Sequence, residues 1–403
     1  MKKVLIWSYH FPPEGGPGVQ RISKLIKNFP LDKFQVFVLT AKRRVKVFDS
    51  SLLQDIEDKC KIIRVTDYYS YLLGDIKKWF SSFIIPDKSY LWAASAYHKA
   101  KRLQKIHNFD LIISTSPPHS SHIFANKFAL KYGIKSIIEF RDEWTSNSLF
   151  DKAKKQEKQT EMEQYVLQNC DQVITISETA KSNFIQKNIP ADKVKVIYNG
   201  YDEDDFKDIG NSPTINEDGL LRFGYMGRLN TLHSPRSFFK GLHLIQQESK
   251  EVNIHCKVIG DIENSKWVKK YPDLEKKVDF IGYMEHHACL EEISKSDVLL
   301  LLSTNSNKTE VVTGKVFEYF RLKKPIFAIL SSKKELYNIL IDYNNAYIAF
   351  DDDIDSIKTQ LKLIYHDFIN NNLNKQVDDS VVRKFDRKTL SESYLKIIES
   401  ILK

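Results

Sequence analysis

The chain has 403 residues, 42% of them hydrophobic and 28% charged, with a formal net charge of +9; this balance excludes collagenous, mucin-like and disordered classes, and the length predicts two domains rather than one. No stretch approaches the roughly eighteen consecutive apolar residues of a membrane-spanning helix. The four cysteines, Cys60, Cys170, Cys256 and Cys289, stand isolated and never at metal-ligand spacing, which predicts free thiols in a reducing compartment.

The positive charge is uneven. Residues 1–200 hold 32 Lys and Arg against 20 Asp and Glu, and the remainder holds 29 against 32. A basic half of this kind fits nucleic acid, an anionic membrane surface or an anionic small substrate. No RNA- or DNA-binding motif or zinc finger accompanies it, so nucleic acid is the weakest of the three and is not expected as a partner. Lys42-Arg43-Arg44 and the apolar-basic segment from Ile76 to Ile85, with Lys77, Lys78, Trp79 and Phe80, could dock on anionic headgroups. The competing reading is a solvated basic face with an aromatic packed inward.

In chain order, Met1 to Trp7 resembles a signal peptide only briefly. The apolar run ends at Ser8, too short for an h-region, and reads as a first strand. Short apolar runs then alternate with amphipathic stretches. Val4–Trp7, Gln35–Leu39, Leu111–Ser114, Ser136–Phe140, Val173–Ile176 and Val194–Ile197 read as strands without strict alternation, as parallel strands buried on both faces should. Helical patterns fall between them at Ile22–Asn28, Ala93–His107, His122–Tyr132 and Glu161–Asn169. Residues 202–219 are rich in Asp, Glu, Gly, Asn and Pro and read as a linker. A second series follows at Leu221–Met226, Ile254–Ile259, Val278–Ile281, Val298–Leu302, Pro325–Leu330 and Ala346–Phe350, and Arg387–Lys403 closes the chain as an amphipathic helix. The β–α repeat predicts an α/β fold of two doubly wound parallel sheets. The expected division is 1–205, 206–380 and a terminal segment 381–403 that crosses back to the first domain.

Two stretches carry chemistry. "YHFPPEGGPGVQR", Tyr9 to Arg21, follows the first strand; its prolines and glycines hold a loop open, with a helix expected from Val19 or Gln20. Glycines let backbone approach a ligand, and a helix start offers free N–H groups, so a phosphate or sugar hydroxyl fits there. A bare tight turn explains the loop about as well. Gly16-Pro17-Gly18 lacks the third glycine of the dinucleotide fingerprint, which argues against nicotinamide or flavin. The second stretch is "TEVVTGKVFEYFRLKKPIFAIL", Thr309 to Leu330. Thr313 is expected to N-cap a helix beginning near Gly314, and Pro325 stops it. Glu310 then precedes the helix and Glu318 lies just over one turn inside. The N–H groups from Val311 through Val312, Thr313 and Gly314 to Lys315 form an anion site strengthened by the lysine. A nucleoside diphosphate could rest there, with Glu318 accepting ribose hydroxyls and Glu310 sugar hydroxyls. An ordinary exposed helix with two solvated glutamates remains the alternative.

Five motifs in order resemble glycosyltransferase family 4, of the GT-B fold, from the first strand to the last helix. They are "FPPEGGPGVQR", "TSPPHSSHIFA" followed by "EFRDEW", "VIYNGYDEDDF", "FGYMGRL" and the Glu310–Glu318 spacing. The resemblance implies two Rossmann-like domains facing across a cleft. It also implies retaining transfer from a nucleotide diphosphate sugar to a saccharide or lipid-linked acceptor, with no cofactor and no essential metal. Carried over, Glu310 touches the donor sugar, Glu318 the ribose, and Arg228 the diphosphate, with Lys315 as a second cation. Gly16 brings main chain to the phosphate or acceptor, beside Glu14 and Gly15. His119, Arg141 and Asp142 face the acceptor, Asp142 standing where many members place a histidine. Gly227 and Tyr283 lie at strand ends, the latter where the base is seated.

Two departures follow. The usual lysine after "GRL" is His233 here, with Lys315 the expected substitute; and Asp142 replaces the histidine. The D-x-D at Asp202-Glu203-Asp204 and the run Asp351–Asp353 read as solvated turns rather than metal sites, and His286-His287 as a surface or cap pair. The bacterial style of the motifs implies surface polysaccharide biosynthesis by a cytoplasmic enzyme, peripheral on the inner face of the membrane. The rivals are a nucleotide-sugar epimerase on the same fold and an inactive glycosyltransferase-like binding protein.

Overall fold

The computed structural model describes residues 1–44, 49, 51–72, 84–146, 156–210, 219–230, 233–249, 251–260, 269–303 and 312–403. The chain forms two compact units: Met1–Tyr198 with Arg387–Lys403, and Asn199–Asp386.

The first unit is a seven-stranded parallel sheet of order β3-β2-β1-β4-β5-β6-β7. Its strands are β1 (Lys2–Ser8), β2 (Phe34–Lys42), β3 (Cys60–Thr66), β4 (Leu111–Ser116), β5 (Lys135–Phe140), β6 (Gln172–Thr175) and β7 (Val194–Val196). The helices are α1 (Pro17–Lys27), α2 (Tyr90–His107), α3 (Ser120–Tyr132), α4 (Gln156–Asn169), α5 (Glu178–Gln186) and, from the end of the chain, α11 (Arg387–Ile401). Side chains alternate across a strand, and β1 shows the result. Val4 and Ile6 join one core with Ile22 and Ile26 of α1 and Tyr394 and Ile398 of α11. Leu5 and Trp7 join the other with Trp92, Ala96 and Ala100 of α2 and Phe124 and Phe128 of α3. A strand buried on both faces needs an unbroken apolar run, as its sequence has.

The second unit is a six-stranded parallel sheet of order β10-β9-β8-β11-β12-β13. It contains β8 (Leu221–Met226), β9 (Ile254–Ile259), β10 (Val278–Gly282), β11 (Val298–Ser303), β12 (Ile326–Leu330) and β13 (Ala346–Phe350). Its helices are α6 (Arg236–Glu248), α7 (His286–Ser294), α8 (Lys315–Leu322), α9 (Glu335–Tyr343) and α10 (Ile354–Ile369). Leu221, Phe223 and Tyr225 pack on Phe238 and Leu242 of α6 and Leu361 and Ile364 of α10. On α8, Phe320 stacks on Tyr343 of α9, centroids 4.1 Å apart.

Three local expectations are corrected. Helix α1 begins at Pro17, N-capped by Gly16 at φ 115°, because proline at the first position has its φ preset for a helix. Helix α8 begins at Lys315 with Gly314 as N-cap and no side-chain cap, so Thr313 does not cap it. Strand β3 was not anticipated: it lies at the sheet edge with no fully buried residue, Lys61 and Arg64 exposed and the rest half-buried, and lacks a long apolar run. Among the described residues no helix is long and apolar enough to cross a membrane.

Candidate functional site

In the second unit the chain leaves β8 towards β9 on one side and leaves the neighbouring β11 towards β12 on the other. Such a switch point opens a crevice beyond the carboxyl ends of the strands. Glycines close its floor. Gly227, directly after β8 at φ 116°, donates its N–H to Ile259 O at 2.7 Å, and Gly260, after β9, donates to Gly282 O at 2.7 Å. A Cβ on Gly260 would stand 2.4 Å from Gly227 O, so only glycine lets these strand ends meet.

Helix α8 aims its first turn at this floor. The Tyr319 hydroxyl accepts the Met226 N–H at 3.2 Å and donates to Leu300 O at 3.3 Å, tying the helix to both central strands. At the head of α8 the Val316 and Phe317 N–H groups donate to Thr313 O and Gly314 O at 3.2 Å each, and the helix presents the positive end of its dipole. Lys315, its first residue, donates to the Tyr225 hydroxyl at 2.9 Å and lies over that ring, 4.2 Å from the centroid. Tyr225 in turn donates to Arg228 O at 3.1 Å. A Cβ on Gly227 would stand 2.8 Å from Lys315 Nζ. Burial pushes the Lys315 pKa down to about 7, with Glu318 opposing the shift. An arriving anion would restore the charge.

His233 does not compete for that role. Its Nδ1 lies 2.8 Å from Leu302 O and donates to it. Burial, then the nearby Lys315 charge, hold its pKa near about 4, so it is neutral at pH 7. Among the described residues Lys315 stands at this crevice, and Arg228, whose side chain is exposed, follows one residue beyond Gly227. Val312 is buried, while Thr313 and Gly314 are half-buried at the helix mouth. Glu310 and Val311 lie outside the described residues.

Glu318 is half-buried, its Oε1 2.8 Å from Nε2 of His286, the first residue of α7. His286 Nδ1 stands 3.8 Å from Asp205 Oδ2. The pair His286-His287 looked like a surface feature because helical neighbours face different ways; that geometry instead directs His286 inward and leaves His287 exposed. No signal within α7 alone could have found this contact. Tyr283 is 63% exposed, following Gly282 at φ 78° on the strand next to Gly260.

The acidic runs have local roles. Asp202 accepts the Asp204 N–H at 3.3 Å, Glu203 pairs with Arg321, and Asp204 pairs with Lys207 at 2.6 Å. Asp353 caps α10 through the Ser356 N–H at 2.9 Å. Among the described residues no group of three or more His, Cys, Asp or Glu could hold a metal ion.

The first unit has its own switch point between β1 and β4, with the glycine loop on one side and Ser116–His119 on the other. Here the arginines face inward. Arg141 donates from Nε to Ser116 O at 2.9 Å, from Nη2 to Pro117 O at 3.1 Å and from Nη1 to Gly18 O. A Cβ on Gly18 would collide with Nη1 at 2.1 Å. Arg141 therefore ties the end of β4 and the connection after it to the first turn of α1. Arg21 bridges Glu139 at 2.9 Å and holds Tyr198 O and Ile197 O at 2.8 and 2.9 Å. Glu14 accepts from Arg43 and lies 3.1 Å from His10 Nδ1; Arg44 lies over the Tyr71 ring. Of the expected basic patch, Arg43 is thus engaged internally, and residues 76–83 lie outside the described residues.

His119 is buried and stacked on Trp144 at 4.9 Å; desolvation, then Arg141, push its pKa down to about 3, so it is a neutral side chain. Asp142 is exposed, yet protein crowded around its carboxyl raises its pKa, Arg141 opposing. Gly15 and Gly16 are half-buried in the loop ahead of α1. The structure thus gathers Gly227, Thr313, Gly314, Lys315 and Glu318 at one switch point, and Gly16, His119, Arg141 and Asp142 around the other.

Residues 33–205 match the family model described as Glycosyltransferase Family 4, and residues 209–378 that described as Glycosyl transferases group 1. No curated protein matches the sequence. Among solved structures, HepE from Anabaena in complex with UDP and glucose aligns over 99% of this chain and 100% of its own, with TM-score 0.67 and 16% identity. The lipopolysaccharide outer core galactosyltransferase WaaB, in its apo form, aligns over 99% of each chain with TM-score 0.64 and 19% identity. A UDP-N-acetylglucosamine 2-epimerase aligns over 95% and 94% with TM-score 0.54 and 14% identity. At such identities these likenesses establish the fold, two Rossmann-like parallel-sheet domains.

Proposed function

With a glycosyltransferase family 4 domain in its first half and a glycosyl transferases group 1 domain in its second, the chain is a glycosyltransferase of the GT-B fold, and from that premise we propose that it moves a sugar, with retention, from a nucleotide diphosphate sugar to a saccharide or lipid-linked acceptor. The observation that carries this reading is Lys315: a desolvated lysine at a helix head, above a glycine floor, with a neutral phenol as its nearest partner. A diphosphate supplies the charge that this position lacks.

As the bond between the anomeric carbon and the phosphate oxygen breaks, its electron pair stays on the diphosphate. Lys315, Arg228 and the positive end of the α8 dipole stabilise that growing charge, the largest catalytic contribution expected of such a site. The acceptor oxygen bonds to the anomeric carbon on the face the phosphate leaves, and the departing phosphate takes the acceptor proton. Glu318 holds the ribose, Glu310 the sugar hydroxyls, and Tyr283 lies beside the base. Asp142 and the Glu14–Gly16 loop serve the acceptor. Fixed protein cations do the work a divalent ion does elsewhere, so activity is expected to survive EDTA; its abolition would restore a metal to the mechanism.

UDP and glucose bound to HepE make uridine diphosphate sugars the first donors to try, and the activity named for WaaB supports a surface-polysaccharide acceptor. The test is release of nucleoside diphosphate from donor plus acceptor, with the anomeric configuration of the product read by NMR. The epimerase likeness favours a second reading. Donor alone converted to its epimer, with no acceptor required, would establish that one.

A further inference from the structure

We propose that His286 positions the ribose-binding carboxylate and thereby sets the preference of this site for ribonucleotides over 2′-deoxyribonucleotides. The proposal rests on Glu318 holding the ribose, as above.

A glutamate side chain on a helix rotates about three bonds, and a ribose diol gains little from an acceptor that must first be ordered. Here the ordering is done before any ligand arrives. His286 Nε2 donates to Glu318 Oε1 at 2.8 Å, and both side chains are largely shielded, at 26% and 13% exposure. A donating Nε2 must carry a proton, and the Asp205 carboxylate, 3.8 Å from Nδ1, faces the other edge of the ring. The imidazole thus stands between two carboxylates from two other elements, the turn Glu203–Phe206 and α8. On α8, Lys315 and Arg321 each stand three residues from Glu318, Arg321 bonded to Glu203, and the Cys289 thiol, raised to about 12 by burial, is neutral at pH 7. Among the described residues, the other oxygen of Glu318, Oε2, takes no hydrogen bond.

His286 comes from the connection after β10, where Gly282 at φ 78° turns the chain and Tyr283 stands exposed. The loop proposed to lie beside the base therefore also fixes the group that reads the sugar. A bare packing strut between α7 and α8 would hold the helices together as well, but it would not alter the choice between two sugars.

The test reads binding, not turnover. UDP, ADP and GDP are titrated against the full chain by calorimetry, the base with the tightest binding is kept, and its 2′-deoxy form is compared. In the wild type the ribose form is expected to bind roughly tenfold tighter, the value of one hydrogen bond to a charged group. His286→Met, similar in length but without a donor, should bring the two within about twofold. His286→Gln, which keeps an N–H donor, should recover most of the ratio, and Glu318→Ala should abolish it. An unchanged ratio in a folded His286→Met protein overturns the proposal even where its melting temperature falls. Should His286→Met not fold, a ratio in His286→Gln equal to that of Glu318→Ala does the same. Failure of every ribonucleoside diphosphate to bind the wild type instead removes the donor reading itself, and the role of His286 with it.

Discussion

The two switch points share one architecture and use charge in opposite ways. Around the first, arginine charge is spent inside the protein: Arg141 on three main-chain carbonyls, Arg21 on Glu139, Arg43 on Glu14. Around the second, Lys315 is desolvated and, among the described residues, makes no ion pair. The half of the chain with the larger positive charge thus has its arginines committed at the switch point. The half with 29 basic against 32 acidic residues places at its switch point a cation whose hydrogen-bond partner, among the described residues, is a neutral phenol. Net charge per domain says little about where an anion binds; the partner of each cation says much more.

The largest expected effect lies at the second point. Lys315→Met and Arg228→Ala should each lower turnover by about 10²–10³-fold, as loss of one oxyanion donor does. Initial rates at saturating donor and acceptor measure it. Near-normal turnover in either variant would erase the contrast, because the unsatisfied cation would then have no catalytic use.

The sheets and most helices were legible because parallel strands buried on both faces leave continuous apolar runs, as in Val4–Trp7 and Val298–Leu302. Strand β3 was not, because an edge strand such as Cys60–Thr66 needs no such run. The helix mouth at Lys315 was legible from glycine, lysine and the proline stop. What spacing cannot show is a partner distant in sequence. Arg141 finds Gly18 O from 123 residues away, and His286 finds Glu318 from 32. Both residues were visible as candidates or pairs and neither of these partners was, because the direction of a side chain is decided by the tertiary fold.

The next effect lies at the first point and falls on stability. Arg141→Met removes three side-chain hydrogen bonds in a buried place, but Ser116 O keeps the main-chain N–H of residue 141 at 3.3 Å, so the cost of about 1–3 kcal/mol falls only on a carbonyl left with no donor. A denaturant melt should show a loss of about 2–3 kcal/mol. Nucleoside diphosphate binding to the folded variant should persist, since Arg141 is no part of the second unit. Binding lost together with stability would assign Arg141 to the donor and break the comparison from the other side.

The smallest effect is a pH dependence, and it separates Lys315 from its neighbour His233. With a pKa of about 7 in the ligand-free protein, Lys315 is half neutral near that pH. A bound diphosphate raises the value, so binding takes up a proton above pH 7. Donor affinity should be full below pH 7 and fall by up to about tenfold per unit above it. The same depression makes the ligand-free protein gain stability as pH climbs from about 7 towards the unfolded lysine value of about 10.4, since the unfolded chain there binds more protons. His233, held near about 4, is neutral throughout and contributes nothing. Calorimetry in two buffers of different ionisation enthalpy, at pH 8, counts the proton directly. Lys315→Arg, charged at every accessible pH, should flatten the profile. A flat profile in the wild type between pH 6.5 and 8.5 would mean that Lys315 is already charged without ligand, and the distinction between the two switch points would shrink to one of hydrogen-bond partners.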